Sequence, residues 1–292
     1  MRLLYLWLIF LSSLFGNDAD IVVCSFNRPL QAYALLESFE KWVTGYNKIF
    51  LICRSDDDYS ESYKIVEQAF PQVEFIYQPA NSIENSFKPI VLDVLYENRS
   101  TDANYFLFAM DDMVILDKID LIEGCALLNS DKDVHGFYYR LGKNITKAEF
   151  IRSTKTGIPP LKNRGSGIFS WDFSKGNPDW RYPNTLDFTL YRKSTFKNAF
   201  YRLSYKHPNS LEGELAGRGP KGKFGLCYSH SKMVNMPMNR VNTDVPNDII
   251  GNYSAEDLLK VFLQGKKMDI LSIDNSKVES VHQDMHFTFI DR

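Results

Sequence analysis

The segment Tyr105-Phe106-Leu107-Phe108-Ala109-Met110-Asp111-Asp112-Met113-Val114-Ile115 constrains the fold most, because an apolar run stops at two adjacent carboxylates and then turns apolar again. The run before Asp111 is too short for a normal helix and is rich in aromatics, so a strand buried on both faces is the better reading. Its carboxyl end is then Asp111-Asp112. In open α/β sheets ligands sit just beyond the carboxyl ends of strands, and two hard acids there suit Mg²⁺ or Mn²⁺ with waters and substrate phosphates completing the shell. The plainer reading is an acidic turn that only ends the strand.

Between residues 20 and 128, strand-like and helix-like segments alternate, the pattern of βαβ units and a parallel sheet. Strands are predicted at 21–24, 49–53 and 73–77, with the acid-tipped strand fourth. Pro29 stands where a helix can begin without losing a hydrogen bond, and Leu30, Tyr33, Leu36, Phe39, Glu40 and Val43 follow at near-helical spacing. Further helices are predicted at 59–70 and 86–98. After residue 129 the pattern becomes irregular, with a polar, Pro- and Gly-punctuated stretch at 141–167. Short strands at 134–140, 168–173, 186–191 and 224–229 are expected there, with helices at 194–203, 210–216 and from Ala255 to a stop at Gly265. This divides the chain into a leader at 1–19, a first half at 20–128 and a second at 129–292.

A chain of 292 residues with 44% hydrophobic content can bury a large core. A net charge of -2 gives no global pull toward a polyanion, so no nucleic-acid partner is expected. The basic cluster Lys143, Lys147, Arg152, Lys155, Lys162 and Arg164 lies in the polar stretch and reads as a solvated loop, or as a place for substrate phosphates.

Met1-Arg2 followed by an apolar run to Phe15 has the length of a signal-peptide core and is short for a membrane span. Export, or membrane association through the N-terminus, is expected, with cleavage left open. Cys24, Cys53, Cys125 and Cys227 have no zinc-ligand spacing and read as buried thiols. Asn98, Asn144 and Asn252 open N-glycosylation sequons, which matter only in a eukaryotic secretory route.

Three features coincide in order: Ser25-Phe26-Asn27-Arg28-Pro29 after the first strand, Arg54-Ser55-Asp56-Asp57-Asp58 after the second, and Met110-Asp111-Asp112 after the fourth. Together they resemble the nucleotide-binding half of GT-A fold glycosyltransferases, particularly family-2-like enzymes. The resemblance covers about residues 20–128. It implies an α/β fold with a mainly parallel sheet flanked by helices and an irregular α+β acceptor-side half. It also implies a metal-dependent transfer of a sugar from a nucleotide-diphosphate donor to a hydroxyl of a glycan, lipid or protein. By the same resemblance Ser25, Asn27 and Arg28 line the nucleotide, Asp56 or Asp58 contacts base or ribose, and Lys88 leans on the pyrophosphate. Asp111 approaches the ribose or donor sugar, and Asp112 holds Mn²⁺ or Mg²⁺. Met110 and Met113 stand where the family's motif carries a further acid.

Breaking a sugar-phosphate bond sends charge onto the leaving diphosphate, and an inverting reaction needs a carboxylate to deprotonate the acceptor. The second half should supply that acid. Glu212, in the turn and short helix after His207-Pro208-Asn209-Ser210, is one candidate; an acid there also suits a helix start, which Asn209 or Ser210 can cap. Asp187, between Leu186 and Phe188, is the rival. His282 and His286, four residues apart, are candidate third metal ligands by the resemblance, with His230 a weaker one beside a Met- and Asn-rich loop. Trp171, Trp180 and Tyr182 have a composition that stacks on sugars, although core packing is the commoner use of such aromatics. A non-catalytic carbohydrate-binding protein on a degenerate transferase fold is the alternative function.

Overall fold

The alternating apolar segments assemble into a sheet whose strand order creates one crevice. The computed structural model describes residues 17–79, 83–148, 154–155, 157–241 and 253–292. Nine of its strands form this sheet: β1 Ala19–Phe26, β2 Lys48–Arg54, β3 Val73–Tyr77, β4 Tyr105–Met110, β5 Val134–Tyr138, β6 Lys162–Gly165, β7 Ile168–Asp172, β8 Thr189–Arg192 and β9 Phe224–Tyr228. Their order across the sheet is β6-β7-β9-β5-β8-β4-β1-β2-β3. β1 is parallel to both β2 and β4, and β2 is parallel to β3. The chain therefore steps outward from β1 to β2 and β3, then returns to add β4 on the other side of β1. Such a reversal leaves a crevice at the carboxyl ends of the two central strands.

Why these strands are central follows from their burial. Every residue of β1 but the last is buried, as are the first five of β4, so neither could tolerate an edge position. The crossover helices are α1 Pro29–Trp42, α2 Asp57–Ala69 and α3 Ile83–Tyr96, as the sequence spacing predicts. α1 begins with Pro29 and buries Leu30, Leu35, Leu36 and Phe39. It stops before Val43, which turns extended so that Val43–Thr44 can pair with Ile119–Asp120.

The later strands extend the same sheet in mixed directions. β8 is antiparallel to β4, with Tyr191 opposite Phe106, and antiparallel to β5. Between them aromatic side chains fill the core: Phe106 meets Phe108, Phe196 and Phe200 edge-on, with centroids 5.7 to 5.8 Å apart. Trp171 and Trp180 belong to this core, 2% and 0% exposed and in edge contact at 5.0 Å. Neither presents a face to a sugar. The remaining helices are α4 Leu121–Ser130, α5 Lys193–Arg202, α6 Pro208–Ala216 and α7 Ala255–Leu263. Ser254 caps α7 by accepting the Asp257 N–H, and Gly265 at φ 80° follows its end.

All four cysteines are buried free thiols. Residues 1–16 of the expected leader, Arg152 and the Asn252 sequon lie outside the described residues, and no helix among the described residues is long and apolar enough to cross a membrane.

Candidate active site

At the end of β1 the chain must turn sharply into α1, and Asn27 makes that turn in the left-handed region at φ 52°. Asparagine tolerates this conformation better than most residues. Its side chain is then consumed: Nδ2 donates to Asp56 Oδ2 at 2.7 Å, and Oδ1 accepts the Asp56 backbone N–H at 2.9 Å. The turn after β1 is thereby stapled to the turn after β2.

Arg28 follows at the N-cap of α1 and reaches across the crevice to β4. Its Nη1 donates to Asp111 Oδ1 at 2.9 Å and to Asp112 Oδ2 at 3.0 Å. The three side chains are only 12%, 5% and 13% exposed. On its far side the guanidinium is gripped by Asn239, Nε donating to Oδ1 at 2.8 Å and Nη2 to the carbonyl. Burial alone would push the Arg28 guanidinium down, but the two carboxylates, Asp111 foremost, hold it above its ordinary value. Asp111 spends its other oxygen on Ser25 Oγ at 2.9 Å and the Phe26 N–H at 3.0 Å, and Ser25 Oγ lies 2.5 Å from the Tyr63 hydroxyl. Asp112 keeps one oxygen, Oδ1, buried without a hydrogen-bond partner. Burial pushes the Asp112 carboxyl up to about 6, with Arg28 opposing and Asp111 and Asp187 adding to the shift.

The opposite wall comes from the second half. Phe188 holds a strained left-handed φ of 35° just before β8, and this kink places buried Asp187 at the cleft. Asp187 Oδ2 lies 3.4 Å from His282 Nε2. Glu212 projects from α6, where its Oε1 accepts the Leu186 N–H at 2.9 Å. Burial, and then the neighbouring Asp187 charge, push the Glu212 carboxyl up to about 7. Burial pushes the His282 imidazole down, against Asp187. His207, rather than Asn209 or Ser210, caps α6: its Nδ1 accepts the Ser210 N–H at 3.2 Å, and Ser210 answers as the reciprocal partner.

These walls enclose a cleft of about 490 Å³. Of the residues singled out by sequence, Ser25, Arg28, Asp111, Asp112, Asp187, Glu212 and His282 line it. The others do not. Asn27 is spent on Asp56, Asp58 is exposed in the first turn of α2, and His286 is exposed outside the cleft. Lys88 donates instead to the carbonyls of Tyr201 at 2.9 Å and Leu203 at 2.6 Å, tying α3 to the end of α5. His230 contacts the Asn275 carbonyl at 3.1 Å.

Sequence reasoning missed Arg54, Asn235 and Asn239. Arg54 ends β2 and lines the cleft with its guanidinium 4.0 Å from the Phe26 ring centre and its Nε buried without a hydrogen bond. Asn235 Oδ1 and Asn239 Nδ2 are likewise buried at the cleft without partners. Arg54 opens the acidic turn that follows the second strand and was legible by position; the two asparagines carry no motif.

A metal held by Asp112 with His282 or His286 requires several converging donors, yet Arg28 already occupies the acid pair, and Asp112 Oδ1 is the pair's one open oxygen. Among the described residues no group of three or more His, Cys, Asp or Glu side chains could hold a metal ion. The arrangement does not fit a cation held by the protein's own side chains.

No family model matches the chain. In sequence it is similar to the bifunctional glycosyltransferase pgtA of Dictyostelium discoideum, 27% identical over 289 residues, which cover 87% of this chain and 36% of that protein. The chain thus spans well under two thirds of the curated relative it matches. Among solved structures it is similar to S. aureus TarS 1–349 in complex with UDP-GlcNAc, at 12% identity and a TM-score of 0.43, covering 72% of this chain and 58% of that one. It is also similar to 4-diphosphocytidyl-2C-methyl-D-erythritol synthase, at 14% identity and a TM-score of 0.37, covering 70% of this chain and 87% of that one. The sheet, with β1 central and acids at the tip of β4, has the α/β arrangement that the sequence motifs led one to expect, and the curated relative named above is a glycosyltransferase.

Proposed function

We propose that the protein is a glycosyltransferase that moves a sugar from a nucleotide-diphosphate donor to a hydroxyl acceptor. The observation that carries this reading is the cleft at the switch point between β1 and β4, where cationic side chains from the β1 and β2 ends face a carboxylate cluster from the second half. Arg54 suits the charge that develops on a leaving diphosphate, since its guanidinium offers a fork of donors to phosphate oxygens, and Arg28, its own donors engaged by the acid pair and Asn239, adds a second positive charge at the same cleft. The orphaned Asp112 Oδ1, Asn235 Oδ1 and Asn239 Nδ2 are the kind of buried polar atoms that sugar hydroxyls satisfy. The similarity to a glycosyltransferase supports the same reading.

In an inverting displacement the acceptor oxygen bonds to the anomeric carbon and the bond from that carbon to the diphosphate breaks. The electron pair of the broken bond stays on the diphosphate, and the hydroxyl proton passes to a carboxylate. Glu212 is the proposed proton acceptor, because a carboxyl near pH 7 is matched to that task. Asp187, held against His282, orients the acceptor and is the alternative base. The N-terminal segment would bring this cleft to an export route or a membrane surface, which fractionation of cells expressing the full chain tests.

Isothermal titration of uridine and guanosine diphosphate sugars tests the donor assignment. Binding of at least one, lost on adding the matching free diphosphate, supports it. Binding of glycans with no nucleotide binding would favour the carbohydrate-binding alternative instead.

A further inference from the structure

We infer that Arg28 takes the place of a divalent cation in this cleft, so that the protein grips a nucleoside diphosphate without Mn²⁺ or Mg²⁺. The inference rests on the nucleotide-diphosphate reading of the same cleft. A single nitrogen, Nη1, bridges Asp111 and Asp112 at 2.9 and 3.0 Å, the position that a cation shared by two carboxylates would occupy.

Three of the pair's four oxygens are already engaged, by Arg28, Ser25 and the Phe26 N–H. Waters and substrate phosphates can complete a small cation's octahedron, but the protein's anchor for it is one open carboxylate oxygen, and the guanidinium's fixed positive charge beside that oxygen repels a second cation. Nor is Arg28 easily displaced. Its backbone N–H donates to the Tyr63 hydroxyl at 3.0 Å, and its Nε and Nη2 are held by Asn239. Swinging the guanidinium out would leave two carboxylates with little water around them and no counter-charge. Arginine also keeps its charge at any working pH, so it supplies a permanent cation. Arg54, stacked on Phe26, gives the same cleft a second guanidinium with a donor to spare.

Two measurements on the purified full chain test this. Electron paramagnetic resonance of Mn²⁺ titrated into the EDTA-stripped protein alone reads the cation site without any nucleotide. Calorimetry with uridine and guanosine diphosphates, in EDTA and then in Mn²⁺, reads the grip on diphosphate. The wild type is expected to leave micromolar Mn²⁺ free, and its diphosphate affinity should change by less than about threefold between the two conditions. Arg28→Ala, its fold checked by circular dichroism, should lose about tenfold or more of that affinity in EDTA and regain part of it with Mn²⁺, which can then reach the vacated acids. Wild-type binding of one Mn²⁺ at micromolar concentration, or loss of diphosphate binding in EDTA, overturns the inference. Both wild-type readings stand even if Arg28→Ala fails to fold. If no diphosphate binds in either condition the donor reading fails, while the resonance titration still decides whether the acid pair takes a metal.

Discussion

Asn27 and Asp56 exchange two hydrogen bonds, side chain to side chain at 2.7 Å and backbone N–H to side chain at 2.9 Å, and so lock together the turns that follow β1 and β2. The lock holds Asn27 at a left-handed φ of 52° and delivers Arg28 to the acid pair. Asn27→Ala should therefore destabilise by about 2–4 kcal/mol, from lost hydrogen bonds and backbone strain together. Asn27→Gly should lose less, since glycine adopts that conformation freely. Urea unfolding of the two variants checks the order; equal losses would show that the left-handed turn contributes nothing.

Arg54 offers a cleaner test of diphosphate recognition than Arg28, because among the described residues no carboxylate pairs with it to be stranded when it is removed. Arg54→Met keeps an aliphatic stem over Phe26 and removes the guanidinium. Affinity for a nucleoside diphosphate should fall about tenfold or more while affinity for the bare nucleoside is unchanged. Parallel calorimetry of the two ligands reads the difference.

Glu212 links activity and stability to pH with a definite sign. Its carboxyl is raised from 4.5 to about 7, so between those values the native state keeps a proton that the unfolded chain has released. Its contribution to stability is full below about 4.5 and is lost as pH rises toward 7. Glu212→Gln abolishes this titration, and the stability of wild type relative to the variant should decline across that window by about 1–3 kcal/mol. The same change should cut transfer about 10²–10⁴-fold and erase an acid limb near pH 7 in kcat/KM. An intact limb in Glu212→Gln would move the base to Asp187.

Trp171 separates core packing from sugar stacking. The indole is buried against Trp180, and its Nε1 donates to the Trp180 carbonyl at 2.8 Å. Trp171→Ala should cost about 3–5 kcal/mol by leaving a cavity. A variant with wild-type stability and weakened glycan binding would contradict the core assignment.

The parts of the architecture written in local pattern were legible in the sequence. Pro29 and the apolar spacing behind it pointed to α1, and the aromatic run ending at Asp111 pointed to β4 with its acids at the carboxyl end. Long-range pairing was not legible. Nothing local says that Asn27 will be used up on Asp56, that Lys88 will cap the carbonyl end of α5, or that His286 will point away while His282 faces Asp187. Asn235 and Asn239 reach the cleft only because the segment that follows β9 packs under Arg28, a contact spanning 211 residues of sequence. The acid pair was legible as a charged strand end, but its counter-charge came from the neighbouring strand's turn, and that pairing exists only once β1 and β4 lie side by side.

The most direct test of the whole account is the release of free diphosphate from uridine and guanosine diphosphate sugars by the wild type and by Asp112→Asn, with circular dichroism of both. The account predicts turnover of at least one donor by the wild type and a loss of about tenfold or more in the correctly folded variant, whose amide replaces the carboxylate that anchors Arg28 and faces the donor. Equal turnover by both proteins, or a wild type that cleaves no donor even with acceptor glycans present, would contradict it.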